Sequence, residues 1–443
     1  PALRPQDAAK MESLNKFAVA ELVPSFPAVT CCVQTNITTG QLPCKHGVVG
    51  NGLLLRKNEP IDCDDDRPVW LNAERLPYLE MWTAPNQCIG VPQIWDELHK
   101  KSKTSSVWFP LHSKHSRADF VCTPAPIHNP DGSESLWCYT KPVEMYGKLR
   151  DEFGHFPLQN FWGPLSGIAS TEWILKSACW SMSKQSTDFF YIYVPHLDYA
   201  SQKFGANSNE AATAVSEIDS VLLKFFADVA SETNIKEPPV FLVAGEYAIT
   251  DVSHVTFPNR ILREMGLIEV EQRDGREYVE PLKCNAFAVC DHQFSHVHIK
   301  DADRTISKNV AERFRRENGI AEVLVGEDDM KRYGINHRRS GEIILISEQD
   351  SWQAYYYWNE NSKAPEYANK VDIHRKPGYD PLELFRDKSI GIPFDTTLIK
   401  GSHGTPTKCD EQKTVLLSSA PKILNGKKTF TDIDVFNIVN GWF

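Results

Sequence analysis

The sequence predicts an α/β fold in which a mostly parallel central sheet is flanked by helices and carries a small inserted α/β cap. Helical periodicity alternates with short apolar runs in the second half of the chain. The runs Phe189–Val194 and Val240–Ala244 are continuous, as in strands covered on both faces. Residues 270–350 carry shorter pieces, which indicates an inserted unit. We therefore divide the chain into a first core part (1–269), a cap (270–350) and a second core part (351–443).

Periodicity and helix-end signals place the individual elements. An amphipathic helix is predicted over residues 7–21, since Ala8, Met11, Leu14, Phe17 and Ala18 recur at helical spacing. A later helix opens on Pro258 and ends before Gly266. The remaining predicted helices cover residues 92–98, 171–184, 209–233 and 307–317, and the predicted strands cover 106–109, 189–194, 240–244, 286–289, 296–299, 322–325 and 342–346. A loop is expected around Asp64-Asp65-Asp66.

Composition excludes several classes of protein. The 443 residues include 48 Lys and Arg against 58 Asp and Glu, a formal charge of −10. Hydrophobic residues (41%) and charged residues (24%) have globular proportions, which excludes a disordered chain. The negative balance argues against a nucleic-acid polymer as partner, and no apolar run approaches the ~18 residues of a membrane span. The 11 cysteines form no CxxC pair, and no signal peptide is visible, so we expect free thiols and an intracellular location, in the cytoplasm or an organelle.

Carboxylates follow both apolar strands. Asp198 comes after the first strand within His196-Leu197-Asp198-Tyr199, and Glu246 comes after the second. Ligands of open parallel sheets bind beyond the carboxyl ends of the strands. The two carboxylates are therefore predicted to lie at one site, although each could alternatively be a simple helix cap.

Two further segments could complete such a site. Thr30 precedes a short predicted helix, where free N–H groups favour a phosphoryl group. A plain N-cap is the alternative for this threonine. Near the other end of the chain, His403 lies in the tight loop Gly401-Ser402-His403-Gly404, and a solvent-exposed histidine is the alternative there.

Histidines also cluster in the second half of the chain. Asp291-His292 precedes His296 and His298, which alternate as residues on one face of a strand do. Asp372 and His374 have the same spacing of two. Carboxylate with imidazole suits Zn, Mn or Fe, whereas the alternative is a structural hydrogen-bonded pair.

The order of these segments resembles the alkaline phosphatase superfamily, and within it the type I phosphodiesterase/nucleotide pyrophosphatase family. The segments that carry the resemblance span nearly the whole chain. They are Pro-Ala-Val-Thr-Cys from Pro27, Thr-Gly at Gly40, His-Gly-Val-Val-Gly-Asn-Gly from His46, Pro-His-Leu-Asp-Tyr from Pro195, Asp-His-Gln from Asp291, Val-Asp-Ile-His-Arg-Lys-Pro-Gly-Tyr-Asp-Pro from Val371, Gly-Ser-His-Gly from Gly401 and Asp432-Ile-Asp434-Val435.

The resemblance implies a metal-dependent hydrolase of phosphoric esters, acting on a phosphodiester or nucleotide pyrophosphate as its small-molecule substrate. Thr30 stands at the position of the nucleophile, and Lys376, or Arg375, would supply part of the positive charge. The implied cofactor is a divalent metal, Zn or Mn, as one or two ions. The candidate metal ligands are Asp198, Glu246, His403, His292, Asp372 and His374, and the candidate substrate-binding residues are Gln34, Asn51, Gln202 and Tyr247.

The chain departs from the family pattern at three places. Gln202 and Tyr247 stand where the family has histidine ligands, and both are poor zinc ligands. The family's first strand and its aspartate would precede Pro1, so we expect the sequence to lack that strand. The alternatives are therefore a non-catalytic protein that binds phosphoryl ligands and, more remotely, a hydrolase that uses Cys31 or Cys32. The oligomeric state is left open.

Overall fold

The computed structural model describes residues 1–55, 79–128, 134–235 and 237–443. The loop expected around Asp64–Asp66 lies outside these residues. The ten cysteines within them are free thiols. No helix in these ranges combines the length and the apolar character that crossing a membrane requires.

Twelve α-helices form within the described ranges. They are α1 (Pro5–Ala8), α2 (Thr30–Thr39), α3 (Pro43–His46), α4 (Ile94–Lys100), α5 (Met145–Phe153), α6 (Ile168–Lys184), α7 (Leu197–Phe204), α8 (Asn209–Ser231), α9 (Pro258–Glu264), α10 (Arg304–Phe314), α11 (Gly326–Lys331) and α12 (Asp434–Trp442).

The strands of the same ranges number 22. They are β1 (Ala18–Val23), β2 (Gly52–Leu54), β3 (Leu79–Met81), β4 (Ser105–Trp108), β5 (Phe120–Pro124), β6 (Ile127–His128), β7 (Glu134–Ser135), β8 (Cys138–Lys141), β9 (Phe189–Ile192), β10 (Leu242–Ala244), β11 (Thr250–Asp251), β12 (His254–Thr256), β13 (Val270–Arg273), β14 (Arg276–Val279), β15 (Ala286–Asp291), β16 (Phe294–Ile299), β17 (Ile320–Val325), β18 (Ile343–Ser347), β19 (Ser351–Gln353), β20 (Gly401–Ser402), β21 (Thr414–Ser418) and β22 (Thr429–Thr431).

Three four-stranded sheets organise the molecule, in the orders β10-β21-β1-β22, β8-β5-β4-β9 and β15-β16-β18-β17. Strand β4 is parallel to both of its neighbours, and β1 is parallel to β22. Strand β21 runs antiparallel to both β1 and β10, and the third sheet is antiparallel throughout. The predicted α/β class is confirmed. The first two sheets are mixed, because β21 runs antiparallel to β1 and β10 and β8 runs antiparallel to β5.

The prediction of one helix over residues 7–21 is wrong. Helix α1 ends at Ala8, a single 3-10 turn covers Glu12–Leu14, and β1 begins at Ala18. The apolar spacing reflects burial of Met11 and Leu14 beneath α8 instead. From Ala18 the chain alternates in burial, with Ala20 and Leu22 buried, which is the period of a strand.

Strands β9 and β10 confirm their predicted positions, but their side chains are only half-buried. Each strand lies at the edge of its four-stranded sheet, so one side of its backbone has no neighbour in that sheet. For this reason β9 and β10 are not fully buried, contrary to the prediction.

Helix α2 is fixed on the sheet by its apolar side. Val33 and Ile37 pack against Leu22 of β1, Leu416 of β21 and Phe430 of β22. Gly40 ends the helix with a left-handed φ of 65°, and a Cβ there would lie 2.8 Å from a ring atom of Phe436. The first turn of α2 is thereby held above the end of β1.

The region predicted as a cap contains the hairpin β13–β14, the third sheet and helices α10 and α11. Its apolar face shares one core with the segment from Trp352 to Trp358. The division into core and cap stays a prediction.

Candidate active site

Thr30 is the first residue of α2, and it does not cap the helix. The N-cap position is Val29, which makes no side-chain capping bond. The threonine side chain is buried, and its Oγ1 lies 2.9 Å from the Tyr247 hydroxyl. The capping alternative therefore fails, and the hydroxyl faces a polar cluster.

Tyr247 connects Thr30 to Asp198. Its hydroxyl donates to Asp198 Oδ1 at 3.1 Å. A phenol has one proton. Because Tyr247 uses this proton in the hydrogen bond to Asp198, its oxygen accepts the hydrogen bond that the Thr30 hydroxyl donates. The Tyr193 side chain also faces Thr30, whose hydroxyl opposes part of the rise in the Tyr193 pKa. Burial raises the pKa values of both tyrosines well above their ordinary range, so both are protonated.

Asp198 and Gln202 lie one turn apart on α7. Gln202 Nε2 donates to Asp198 Oδ2 at 2.8 Å, and Tyr379 Oη donates to Gln202 Oε1 at 2.8 Å. Both oxygens of the buried carboxylate thus accept hydrogen bonds from neutral groups. Burial raises the pKa of Asp198 to about 6, so most of it is ionised at pH 7.

Glu246 follows β10 and is buried beside α2. Gln34 Nε2 donates to Glu246 Oε1 at 2.8 Å, and the Leu111 N–H donates to Gln34 Oε1 at 2.7 Å. Burial raises the pKa of Glu246. Its other oxygen, Oε2, has no hydrogen-bond partner among the residues that the structure describes.

His403 is aimed by the loop after β20. Its Nδ1–H donates to the Ala28 carbonyl at 2.8 Å, which leaves Nε2 with a lone pair. Nε2 is buried and finds no partner within the described ranges. Burial holds the pKa of His403 well below its usual value, so the ring is neutral. Gly404, at φ +122°, allows the backbone to pass close to Val29 and Gln293.

His292 joins the cluster from the turn between β15 and β16. Its Nδ1 lies 2.7 Å from Asp291 Oδ1. Asn51 donates to Asp291 through its backbone N–H (2.6 Å) and side chain (3.1 Å), and its Oδ1 accepts from the Cys31 N–H at 3.0 Å. Asn51 therefore fixes the first turn of α2 against this aspartate, whose pKa burial raises to about 6.

Four rings form a continuous stack across the site, in the order Tyr247, His403, His292 and Tyr379. Tyr247 and His403 are parallel within 7° at a centroid distance of 3.6 Å. His403 and His292 lie 3.9 Å apart, and His292 and Tyr379 lie 3.7 Å apart. This ring stack brings together segments that are separated by up to about 150 residues.

The structure thus brings nine of the predicted site residues into one region. They are Thr30, Gln34, Asn51, Asp198, Gln202, Glu246, Tyr247, His292 and His403. Their roles stay predictions.

Three predicted residues are engaged in other contacts. The Asp372 carboxylate pairs with Arg375 and accepts from the His374 N–H at 3.2 Å. Lys376 Nζ is buried between Asp380 and Glu383, at 2.7 Å from each. Two carboxylates thus balance the Lys376 charge. Its contribution of positive charge to the site stays a prediction.

Sequence reasoning missed Tyr379, Asp291 and His112 as residues of this region. Tyr379 lies in the segment that begins at Val371, in which the sequence predicts roles for Asp372, His374 and Lys376 or Arg375. His112 Nε2 lies 3.0 Å from Cys31 Sγ, and its Nδ1 lies 3.0 Å from Cys88 Sγ. Burial raises the pKa of Cys31 well above its ordinary value, so the thiol is protonated despite this neighbour.

The donor set does not fit a complete metal centre. Glu246 Oε2 and His403 Nε2 are buried without a hydrogen-bond partner among the described residues, and Glu246 Oε2 lies 3.9 Å from the amino group of Pro1. The oxygens of Asp198 already accept from Tyr247 and Gln202. Across the described ranges, no group of three His, Cys, Asp or Glu side chains is arranged to hold one ion. A glutamine and a tyrosine occupy the positions that further ligands would need.

His46 is hydrogen-bonded to the second half of helix α2. Its Nε2–H donates to Asn36 Oδ1 at 2.8 Å, and its Nδ1 accepts from the Val48 N–H at 3.1 Å. Asn36 in turn donates to the buried Asp432 at 2.7 Å. Burial lowers the pKa of His46 from 6.5 to about 3, because a charged ring would be desolvated there.

Acid should therefore destabilise the fold through His46. The unfolded chain takes up a proton here below about pH 6.5, whereas the folded chain does not until about pH 3, so the free energy of unfolding decreases as the pH falls through this window. The expected loss from this residue is about 2 kcal/mol at pH 5 relative to pH 7. Chemical denaturation at the two pH values measures it, and the same pH dependence in His46→Gln as in the wild type would contradict the assignment.

The sequence profile described as type I phosphodiesterase/nucleotide pyrophosphatase matches residues 3–380. A comparison with curated protein sequences finds no match.

Several solved structures share the fold. Phosphonoacetate hydrolase from Sinorhizobium meliloti 1021, in complex with phosphonoformate, superposes with a TM-score of 0.58 at 15% identity, covering 98% of this chain and 91% of that chain. Murine ectonucleotide pyrophosphatase/phosphodiesterase 5 gives a TM-score of 0.59 at 12% identity, covering 100% and 92%. An inactive form of the murine protein, with a threonine replaced by alanine and in complex with AMP, gives 0.59 at 11% identity, covering 99% and 92%.

Proposed function

The chain belongs to the type I phosphodiesterase/nucleotide pyrophosphatase family and is a phosphoester hydrolase of that type, and from this premise we propose that Thr30 is its nucleophile. The proposed substrate is a phosphodiester or a nucleotide pyrophosphate. The observation that carries the proposal is the hydrogen-bonded chain from Thr30 through Tyr247 to Asp198.

This chain supplies a route for the nucleophile's proton. As Thr30 Oγ1 attacks phosphorus, its proton passes to Tyr247 Oη while the tyrosine proton passes to the Asp198 carboxylate. The bond from phosphorus to the leaving oxygen breaks, the leaving oxygen takes a proton from solvent, and Thr30 becomes phosphorylated or nucleotidylated. Water then attacks phosphorus, giving its oxygen and one proton to the product phosphate and its other proton to solvent. The same relay returns the proton from Asp198 to Thr30 as the threonine oxygen departs.

The surroundings favour a phosphoryl group at Thr30. The positive end of the α2 dipole faces the threonine, and this stabilises the negative charge on phosphoryl oxygens. The Cys31 N–H is held by Asn51, which fixes the first turn in place. The ring stack keeps Tyr247 against His403 and so preserves the relay geometry.

Two comparisons support the substrate class. The matched family is described by its diesterase and pyrophosphatase activities. One structural neighbour is inactive after loss of a threonine hydroxyl and holds AMP. These findings favour the enzyme over a protein that only binds phosphoryl ligands.

Dependence on Zn or Mn, which the family resemblance implies, stays a prediction for this chain. The donors available to an ion are Glu246 Oε2 and His403 Nε2, and no step of the proposed relay passes through a metal. A divalent ion, where bound, would stabilise charge on the phosphoryl oxygens. Assays after chelator treatment, with and without added Mn²⁺ or Zn²⁺, measure this dependence directly.

The function is tested by trapping the covalent intermediate. The protein is mixed with a chromogenic phosphodiester or a nucleotide pyrophosphate, quenched in acid and digested. We expect the mass of one phosphoryl or nucleotidyl group on the peptide that contains Thr30. Hydrolysis at the wild-type rate without any adduct on that peptide, in repeated rapid quenches, would contradict a covalent threonine.

A further inference from the structure

A groove lies on the surface of the region between residues 300 and 345, apart from the residues around Thr30. It encloses about 620 Å³, within the usual range for small-molecule sites. Helix α10 forms one wall, and the loop that runs from Asn336 to Glu342 forms the other. None of the residues assigned above to the active site lines it.

The α10 wall presents a cationic face made of Arg304, Lys308 and Arg315. At ~100° per residue these positions lie within about 40° of one another around the helix axis, so they point the same way. At ~1.5 Å per residue they extend over about 16 Å. One small anion cannot reach all three, whereas a ligand with several anionic groups can.

The cations of this face are not neutralised by neighbours. Within the part of the chain that the structure describes, their side chains make no ion pair or hydrogen bond. Two acids also line the groove, and both are engaged. Glu327 pairs with Lys331 at 3.1 Å, and Glu342 accepts from the Ile299 N–H at 2.7 Å. A local excess of positive charge is unusual in a protein of net charge −10.

The floor between the two walls is apolar. Ala311 lies on the same side of α10 as the cations, and Met330 of α11 and Val325 of β17 also line the groove. Ala311 and Met330 are buried, so the floor is fixed by the core of this region. An organic group can rest on such a floor while its anionic groups meet the cations.

We propose that this groove is a second, non-catalytic site for an organic polyphosphate. The phosphates lie along the cationic face, where the guanidinium of Arg304 can hold oxygens in pairs and Lys308 acts as a point charge. The organic part rests on Ala311 and Met330. Tripolyphosphate carries the phosphates without an organic group, and citrate is an organic polyanion without phosphate. Comparing the two with an organic polyphosphate separates the contribution of the phosphates from that of the organic group.

Calorimetric titration of the full chain with ATP tests the proposal, in a Thr30→Ala background that prevents turnover. We expect two binding events per chain, of which one weakens at least tenfold in the double variant Arg304→Glu/Lys308→Glu. The surface variant Lys16→Glu, with a charge change of the same sign outside the groove, should retain both. Tripolyphosphate should bind the groove more weakly than ATP, and citrate more weakly still.

Equal binding of ATP by the Thr30→Ala protein and by its charge-reversed form would overturn the proposal. Both reversed positions are exposed, so the fold should be retained, and a matching thermal unfolding midpoint verifies this. The milder pair Arg304→Ala/Lys308→Ala replaces the reversal if that midpoint shifts. With Thr30 intact, the reversed protein should hydrolyse a phosphodiester at the wild-type rate, which separates this site from the catalytic one.

Discussion

Thr30→Ala should lower kcat by at least about 10³-fold, because it removes the atom proposed to bond to phosphorus. The fold should survive. The side chain makes no capping bond, and the helix is fixed by Val33, Ile37 and Gly40 instead. Steady-state hydrolysis of a chromogenic phosphodiester, with rapid quench for the adduct, provides the measurement.

Thr35→Ala is the matched control for this change. Thr35 lies on the same helix and is equally buried, but its hydroxyl donates to the Cys31 carbonyl, away from Tyr247. Its loss should leave kcat within a few-fold of the wild type. Thr30→Ser keeps the oxygen and should retain much of the activity. Equal turnover by the wild type and Thr30→Ala would exclude a threonine nucleophile.

Tyr247→Phe should lower kcat by about 10²- to 10³-fold with little change in KM. The substitution removes the hydroxyl that connects Thr30 to Asp198, and general-base assistance of this kind contributes about that much. A phenylalanine ring can keep the contact with His403 at 3.6 Å, so the geometry of the stack should persist.

Tyr193→Phe tests whether the Tyr247 hydroxyl relays a proton or only helps to position Thr30. Tyr193 also lies close to the threonine and is also buried, but no hydrogen bond from its hydroxyl to a carboxylate is seen within the described residues. We expect a loss of at most about tenfold in this variant. A Tyr193→Phe enzyme as impaired as Tyr247→Phe would show that the hydroxyls only position Thr30.

The sequence predicted the parts of the site that local patterns encode. Thr30 begins a helix, and Asp198 and Glu246 follow strands, because the apolar patterns that place helices and strands act over a few residues. The order of the segments along the chain predicted that these residues meet in one site. In the structure they lie together.

The other features of the fold and the site depend on tertiary contacts between distant parts of the chain, which no local sequence pattern encodes. Residues 7–21 have helical spacing, yet pairing with β21 and β22 makes Ala18–Val23 a strand. The charge of Lys376 is balanced by Asp380 and Glu383, four and seven residues further on, within an irregular segment. Tyr379 contributes through stacking on His292, a contact across about 90 residues.

Strand β1 has consequences for synthesis. Both of its neighbours in the sheet come from the last 30 residues, with Ala18 opposite Ser418 and Glu21 opposite Thr429. A growing chain on the ribosome therefore cannot complete this sheet until residues 414–431 have emerged, and pairings across about 400 residues close slowly. Nascent chains that lack these residues should stay inactive and exposed to chaperones.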